Sequence, residues 1–473
     1  GDLWDSQEPQ SFSDASTRTE KPHRFGAARH AMLAKQSNKD FTNKKTSIVD
    51  QAVSTLPDIT FDRYHLPNGL EVILHQRTAT PIVHVLLWYH VGSKDEPADR
   101  TGFAHLFEHM MFQGSENVGK TEHFTWIQGI GGVTNASTSQ DRTNYFQTVP
   151  REYLGLALWL EADRMRSLNV SEENFQNQLS VVKEERKQRY DNQPYGLLYL
   201  TMLEMVFQGS SYGWGPIGDM AHLDAAPLRT VQEFHQQFYV PNNAVLILAG
   251  DFEPEEARRL IAEQFGNIPA GAAIQRRFSP APPLTQQVRR TITDQVPFPS
   301  VTIGFRAAPI GHPDQQALAL LTNILSGGTS SRFQQSIVHD QQLALHAYAL
   351  ALPQERDGML LIQARAMHGV SAEKLEAALW EELEKLRTDG CTQHELDAAL
   401  NRTEASLVRG LGSAQSVADM LAQFHVFQQD PARVNRLLDE YRAVTVGDLQ
   451  RVAQHYLSPS SAAVLHYLPE EWD

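Results

Sequence analysis

The chain has 473 residues and a formal net charge of −15, from 41 Lys and Arg against 56 Asp and Glu. This length exceeds what one hydrophobic core ordinarily covers, so two or more domains are expected. The acidic charge argues against nucleic acid as a partner, because phosphate binding needs clustered Lys and Arg. No stretch approaches the roughly 20 consecutive apolar residues of a membrane span. The single cysteine, Cys391, cannot form an internal disulfide, so a metal site would depend on His, Asp and Glu.

The first 57 residues are polar and lack periodic apolar positions. This composition predicts an N-terminal arm over 1–57, either a solvated tail or a segment that wraps the body or a partner subunit. No basic segment followed by an apolar core is visible at the start, so either no signal peptide exists or it precedes this numbering.

The first half of the body, predicted over 58–267, alternates strand and helix patterns. Pro67-Asn68-Gly69 predicts a turn, and a strand follows it. In chain order the predicted elements are strands at Leu70–Leu74 and Ile82–Tyr89, a helix from Phe103 to about Phe112, strands within Asn135–Val149, helices at Tyr153–Leu168 and Ser171 to about Tyr190, and a strand at Val245–Asp251.

A proline-rich segment at 268–287 predicts a linker, and the second half, 288–473, repeats features of the first. The segment that begins at Thr230 and leads into an apolar strand has a counterpart that begins at Thr445. The helix that opens at Ser171 has a counterpart at Thr392. A period of about 215 residues indicates a duplicated domain, since solenoid repeats are only ~20–50 residues long. The sequence therefore predicts an α+β fold of two homologous domains, each a mainly antiparallel sheet covered by helices.

His105-Leu106-Phe107-Glu108-His109 lies on the predicted helix that begins at Phe103. Positions i and i+4 share a helix face, so His105 and His109 can both reach one metal ion, with Glu108 beside them. This H-x-x-E-H order is the inverted form of the common zinc-peptidase motif. A buried structural histidine pair, next to Met110 and Met111, is the alternative interpretation.

Glu185 is the candidate third ligand, because it lies on the inward stripe of the helix from Ser171. An acid on an inward stripe needs a partner, which a metal would supply. Glu184 points about ~100° away and is expected to be solvated. A surface carboxylate in a charged run is the alternative for Glu185.

With these motifs the chain resembles the pitrilysin/insulinase family of zinc metallopeptidases. The resemblance covers Phe61 to Pro469. Within the family, the chain resembles the class of half-length subunits typified by mitochondrial processing peptidase and its bacterial heterodimeric homologues. It rests on the 76-residue gap from His109 to Glu185 and on several further motifs. These are Pro67-Asn68-Gly69, Gly102-Phe103-Ala104, Gly131-Gly132-Val133-Thr134-Asn135-Ala136, Gly215-Pro216-Ile217-Gly218 and the stretch from Tyr239 to Asp251.

The resemblance implies one Zn²⁺ per chain, held by His105, His109 and Glu185, with Glu108 as the general base. It also implies that an extended peptide substrate adds as a strand at the sheet edge formed by Asn135, Ala136 and Ser137. The activity implied is that of a zinc metalloendopeptidase.

Two departures from the family pattern alter this expectation. Gln178 stands where a glutamate that supports the active site is usual. It can keep a hydrogen bond there but not a charge, so altered activity is expected instead of its loss. Val338 and Leu345 stand where active members carry an Arg and a Tyr that hold the substrate. Arg332 and Tyr348 lie nearby but out of register, and we interpret both as structural. Neither Val338 nor Leu345 can donate to an oxyanion, a contribution typically worth ~2.7–4 kcal/mol.

These departures predict a division of labour between two chains. This chain would carry zinc and the base, and a homologous partner subunit would supply the missing Arg and Tyr. A non-catalytic scaffold or assembly subunit is the alternative. Bacterial members of the resembled family that have this size are often exported, so the resemblance implies a periplasmic or otherwise exported protein.

Overall fold

The computed structural model describes residues 58–470 of the chain. The predicted N-terminal arm, 1–57, lies outside the described residues, as do 471–473. Among the described residues, none of the helices has the length and apolarity required to cross a membrane.

A six-stranded sheet lies in the first half of the chain. Its spatial order is β1-β2-β6-β3-β5-β4, and only the β2–β6 pair is parallel. Strand β4 is therefore an edge strand. The strands are β1 (Asp62–His65), β2 (Glu71–Gln76), β3 (Ile82–Tyr89), β4 (Val133–Thr138), β5 (Thr143–Pro150) and β6 (Ala244–Gly250).

A five-stranded sheet in the second half has the same plan. Its order is β7-β11-β8-β10-β9, and only the β7–β11 pair is parallel. This order matches β2-β6-β3-β5-β4 strand for strand, including the place of the parallel pair. The predicted duplication is thus visible in the topology. The strands are β7 (Val288–Asp294), β8 (Ser300–Ala307), β9 (Ala344–Pro353), β10 (Gly358–Ala366) and β11 (Ala462–Pro469).

Helices cover both sheets, which confirms the predicted α+β class. The first half contributes α1 (Phe103–Met110), α2 (Glu122–Gly129), α3 (Leu154–Ser167), α4 (Glu172–Arg186), α5 (Leu198–Val206), α6 (Met220–Asp224), α7 (Leu228–Phe238) and α8 (Pro254–Phe265). The second contributes α9 (Gln315–Ser326), α10 (Ala372–Thr388), α11 (Gln393–Leu411), α12 (Ala414–Gln428), α13 (Leu437–Arg442) and α14 (Val446–Tyr456).

Each half has its own hydrophobic core between one sheet face and its helices. Strands β3 and β6 are buried along nearly their whole length, because both of their faces are covered. This explains why their sequences are continuously apolar instead of alternating. The predicted bounds of β3 are confirmed, and the other predicted elements of the first half shift by a few residues.

The second face of each sheet is covered by a helix of the other half. Helix α12 packs on β3 and β6, where Phe427 meets Trp88 with ring centroids 6.1 Å apart. Helix α5 packs in return on β8 and β11. Gly304 in β8 makes room for it, because a Cβ there would overlap Met202 of α5. The two halves therefore bury their outer sheet faces reciprocally.

The segment from 266 to 287 contains no helix or strand longer than a turn. It runs along the first half, where Arg276 donates to Asp95 at 2.8 Å and Ser279 to Ser211 at 3.1 Å. This fits the predicted linker, while the limits 58–267, 268–287 and 288–473 remain predictions.

Candidate metal centre

Helix α1 begins at a tight crossing of two backbone segments. Its N-cap, Gly102, has φ +98°, a conformation that favours glycine. A Cβ at Gly102 would lie 3.0 Å from Leu223 Cδ1 and 3.1 Å from the carbonyl oxygen of Ile217. Gly218 approaches the same point with φ +66°. The motif Gly215–Gly218 is therefore the surface against which the start of α1 is set.

A carboxyl group from outside the helix caps the first turn of α1. Both oxygens of Glu96 accept hydrogen bonds, from Gly102 N at 2.9 Å and from Ala104 N at 2.8 Å. The indole of Trp214 donates to the same group at 3.2 Å. Glu96 is only 4% exposed. It satisfies two of the amide groups that a helix start leaves unpaired, and it fixes the axial position of α1.

Helix α4 packs against α1 through its apolar stripe. Phe175, Leu179 and Val182 are buried on that stripe, and Glu185 continues it one turn later. At the end of α4, Arg186 donates to the carbonyl of Gly218 at 3.0 Å. The same loop therefore holds both the start of α1 and the end of α4.

Three predicted ligands converge between these helices. Glu185 Oε2 lies 3.1 Å from His109 Nε2 and 3.5 Å from His105 Nε2. One ligand atom from each of the three residues lies within 4.8 Å of the other two. Their side chains are 12% (His105), 24% (His109) and 17% (Glu185) exposed, so the cluster is recessed but open to solvent.

The charges of the cluster suit a cation. Burial lowers the pKa of His105, which favours a neutral imidazole. Burial alone would raise the pKa of Glu185, but His109, His105 and Arg189 outweigh it and hold that pKa at about 2. Glu185 is therefore an anion across the ordinary pH range.

The arrangement fits zinc. Glu185 Oε2 is buried and makes no hydrogen bond to a described residue, although two imidazole nitrogens face it. Buried charges are paired or coordinate a metal, and three lone-pair donors so close together suit a cation between them. Ligands about 2.0–2.2 Å from a tetrahedral Zn²⁺ lie roughly 3.3 Å from each other, close to the two distances found. Two imidazoles and one carboxylate also form a known catalytic zinc ligand set.

Glu108 lies on the same helix and is held by the neighbouring sheet edge. Thr138 Oγ1 donates to Glu108 Oε2 at 2.6 Å. Thr138 is the last residue of β4, which pairs on one side only, with β5, among the described strands. The structure thus brings the predicted base and the predicted substrate edge together.

Asn135, Ala136 and Ser137 precede Thr138 on β4. The Ala136 amide donates to Asn135 Oδ1 at 2.9 Å. Arg142 donates to the carbonyl oxygen of Ser137 at 2.7 Å. Asn135 is exposed, while Ala136 and Ser137 are buried, with only 8% and 9% of their surface exposed.

Comparison with known proteins decides the family. Residues 71–213 match the model described as "Insulinase (Peptidase family M16)", and residues 227–403 match that described as "Peptidase M16 inactive domain". The zinc protease PqqE of Helicobacter pylori is 31% identical over 411 residues, which cover 85% of this chain and 92% of that protein. The chain belongs to peptidase family M16.

The chain is similar to further proteins and solved structures. The β subunit of the mitochondrial processing peptidase of Blastocladiella emersonii is 22% identical over 93% of this chain and 95% of its own length. A protease structure from Helicobacter pylori matches with a TM-score of 0.83 and 29% identity, over 88% of this chain and all of that one. The first half of the periplasmic protease PqqL of Escherichia coli matches with a TM-score of 0.71 and 19% identity, over 88% and 93% of the two chains. The match to the whole PqqL structure covers 48% of the PqqL chain. The predicted family, pitrilysin/insulinase, and its class of half-length subunits are thus confirmed.

The remaining predicted residues have other surroundings. Gln178 is buried on α4, and its amide nitrogen donates to Asn177 at 2.9 Å. Val338 packs against the second core from a π-helical segment. Leu345 lies on β9, the edge strand that corresponds to β4, and is 44% exposed.

The two out-of-register residues have partners within the second half. Arg332 donates to Glu395 at 2.7 and 3.0 Å and to the carbonyl of Gly390 at 2.8 Å. The Tyr348 hydroxyl donates to Gln363. These contacts support the structural interpretation of both residues.

Sequence reasoning missed Glu96, Thr138 and Arg189. Arg189 lies four residues after Glu185, and its Nη1 is 3.1 Å from Glu185 Oε1, so helical spacing could have found it. Glu96 and Thr138 reach the site through tertiary contacts that no local pattern reveals.

Proposed function

We propose that this chain is the zinc-bearing subunit of an M16 metalloendopeptidase that hydrolyses peptides or unfolded segments. The observation that carries the proposal is the convergence of His105, His109 and Glu185 beside Glu108. The names of PqqE and other relatives as zinc proteases support the same metal.

The residues divide the chemistry among themselves. His105, His109 and Glu185 would hold zinc, which supplies a Lewis acid when bound. Glu108 would accept a proton from the attacking water and return it to the amine nitrogen when the C–N bond breaks. Thr138 would keep the Glu108 carboxylate turned toward the edge strand.

A peptide would bind as an additional strand at β4. Its backbone would replace the hydrogen bond that Ala136 now gives to Asn135. Because β4 ends at Thr138, a strand added there would run past Glu108. The unpaired edge of β4 in the described structure supports this arrangement.

We further propose that a homologous subunit completes the site. Val338 and Leu345 cannot donate to a developing oxyanion, and Arg332 already pairs with Glu395. The relative from Blastocladiella is a subunit by name, and PqqL carries about two such lengths in one chain. Both facts support pairing of two half-length units around the substrate.

Metal analysis of matched variants tests the zinc proposal. We expect about one zinc ion per chain in the wild type and in Glu108→Gln, with proteolysis lost only in the variant. Glu185→Gln should lose zinc as well, whereas Glu184→Gln, a neighbour whose side chain is 58% exposed, should lose neither. A wild type that retains no zinc would refute the proposal. Zinc retention without activity under any pairing would favour the scaffold alternative.

Mixing experiments test the subunit proposal. The isolated chain should cleave unfolded peptides feebly, and addition of a homologous chain that bears the missing Arg and Tyr should restore the rate. Full activity of the isolated chain would contradict the division of labour. Export to the periplasm is proposed by analogy with PqqL, and fractionation of cells would test it.

A further inference from the structure

The two carboxylate oxygens of Glu185 have different neighbours. Oε2 faces the imidazoles of His105 and His109. Oε1 lies 3.1 Å from Nη1 of Arg189, one helical turn later. The guanidinium therefore pairs with the oxygen that does not face the imidazoles. Oε2 stays available to the proposed metal.

The backbone at Arg189 is fixed although its side chain is 63% exposed. Residues Lys187–Asp191 form a π-helical turn that continues α4, and such turns are frequent at functional sites. Arg186 ties the turn down through Asp191 at 3.0 Å and Gly218 at 3.0 Å. Tyr190 packs against the first core.

His105 lacks a comparable contact among the described residues. His105 Nδ1 is buried and makes no hydrogen bond to any residue within 58–470. Metal-binding histidines usually donate that nitrogen to a carboxylate or carbonyl, which fixes the ring. His105 thus lacks such a contact among the described residues, whereas Glu185 has one with Arg189.

We propose that Arg189 is a positioning residue that holds Glu185 with a single oxygen presented to zinc. The inference rests on the proposed zinc site. Arg189 has a second, opposing effect, because its positive charge repels the metal. Water screens that charge, since the guanidinium is largely exposed, whereas the guanidinium contacts Oε1 directly in an ion pair of 3.1 Å. The orienting effect is therefore the larger of the two.

Zinc affinity of the full chain, measured by competition with a chelator, separates the two effects. Arg189→Leu removes both donor and charge and should weaken zinc binding about tenfold, the lower end of the usual range for residues that orient ligands. Arg189→Lys keeps a donor and the charge and should recover part of the loss. Lys187→Gln removes the same charge from the same turn without a contact to Glu185, and it should leave the affinity unchanged.

Three outcomes would overturn the inference. Zinc affinity equal to or greater than wild type in Arg189→Leu would show that charge repulsion dominates. An equal loss in Lys187→Gln would show that the effect is not specific to the contact. A fall in the thermal stability of metal-free Arg189→Leu that matches the affinity loss would show that the turn has unfolded. Failure of the wild type itself to bind zinc would instead refute the proposed function.

Discussion

Thr138 Oγ1 donates a hydrogen bond of 2.6 Å to Glu108 Oε2, so the end of the edge strand is tied to the proposed base. One contact thus connects the residue proposed to move a proton with the strand proposed to hold the peptide. A shift of β4 would turn the Glu108 carboxylate at the same time. The geometry therefore couples the proposed substrate edge to the orientation of the proposed base.

Replacement of Thr138 by Val tests this coupling. The change keeps the shape of the side chain and removes the donor, and a hydrogen bond to a charged group is worth about 1.5–3 kcal/mol. We expect kcat/KM to fall about tenfold to a hundredfold in the assembled enzyme, with the zinc content unchanged. Thr138→Ser keeps the hydroxyl and should retain most of the activity. An unchanged rate in Thr138→Val would show that the bond does not orient the base.

Glu96 provides the second prediction, on the stability of the metal-bearing helix. Both of its oxygens accept backbone amides of α1, so the NH₂ group of a glutamine would face at least one amide donor. Glu96→Gln should lower the free energy of unfolding by about 1–3 kcal/mol, the cost of a buried polar group without a partner. Denaturant titration measures this. Glu152→Gln, at a side chain that is 65% exposed, is the matched control, and an equal effect there would contradict the capping role.

The candidate metal ligands were largely predictable from the sequence, whereas the residues that hold them and Glu108 in place were not. His105, His109 and Glu185 follow helical spacing within α1 and α4, and helical periodicity is a local property. Glu96 is six residues before Gly102, beyond the reach of ordinary N-cap patterns. Its role requires the chain to return to the helix start through a loop. The same holds for Thr138, whose partner lies 30 positions earlier.

The fold divides in the same way. The duplicated α+β plan follows from periodicity and from paired motifs, and the strand order of the two sheets agrees with it. The exchange of α5 and α12 between the halves was not predicted. An apolar helix pattern does not show which half supplies the facing sheet, and the contacts of α5 with β8 and β11, with Gly304 beneath Met202, show where α5 packs.

That exchange yields a third prediction. Met202 is completely buried on α5 and packs with Leu361 and Leu465 of the second sheet. Met202→Ala should destabilise the chain by about 2–5 kcal/mol, through lost burial and the cavity left behind. Because the side chain joins both halves, hydrogen exchange should quicken in β8 and β11 as well as in α5. Val408→Ala, at a residue 46% exposed, should change stability by less than about 0.5 kcal/mol.

The last prediction concerns acid stability. His84 is completely buried on β3, and burial lowers its pKa to about 4, against about 6.5 in an unfolded chain. Between these pH values the unfolded state binds a proton that the folded state does not. Stability contributed by neutral His84 is therefore present above pH 6.5 and is lost as the pH falls toward 4, on the order of 3 kcal/mol.

His84→Gln cannot titrate and should flatten the dependence of unfolding free energy on pH in this window. The slope should not vanish, because burial also lowers the pKa of His235 and His425 to about 4. His65→Gln, at an exposed position on β1, should leave the slope unchanged, and an identical slope in His84→Gln would show that His84 is protonated in the folded protein.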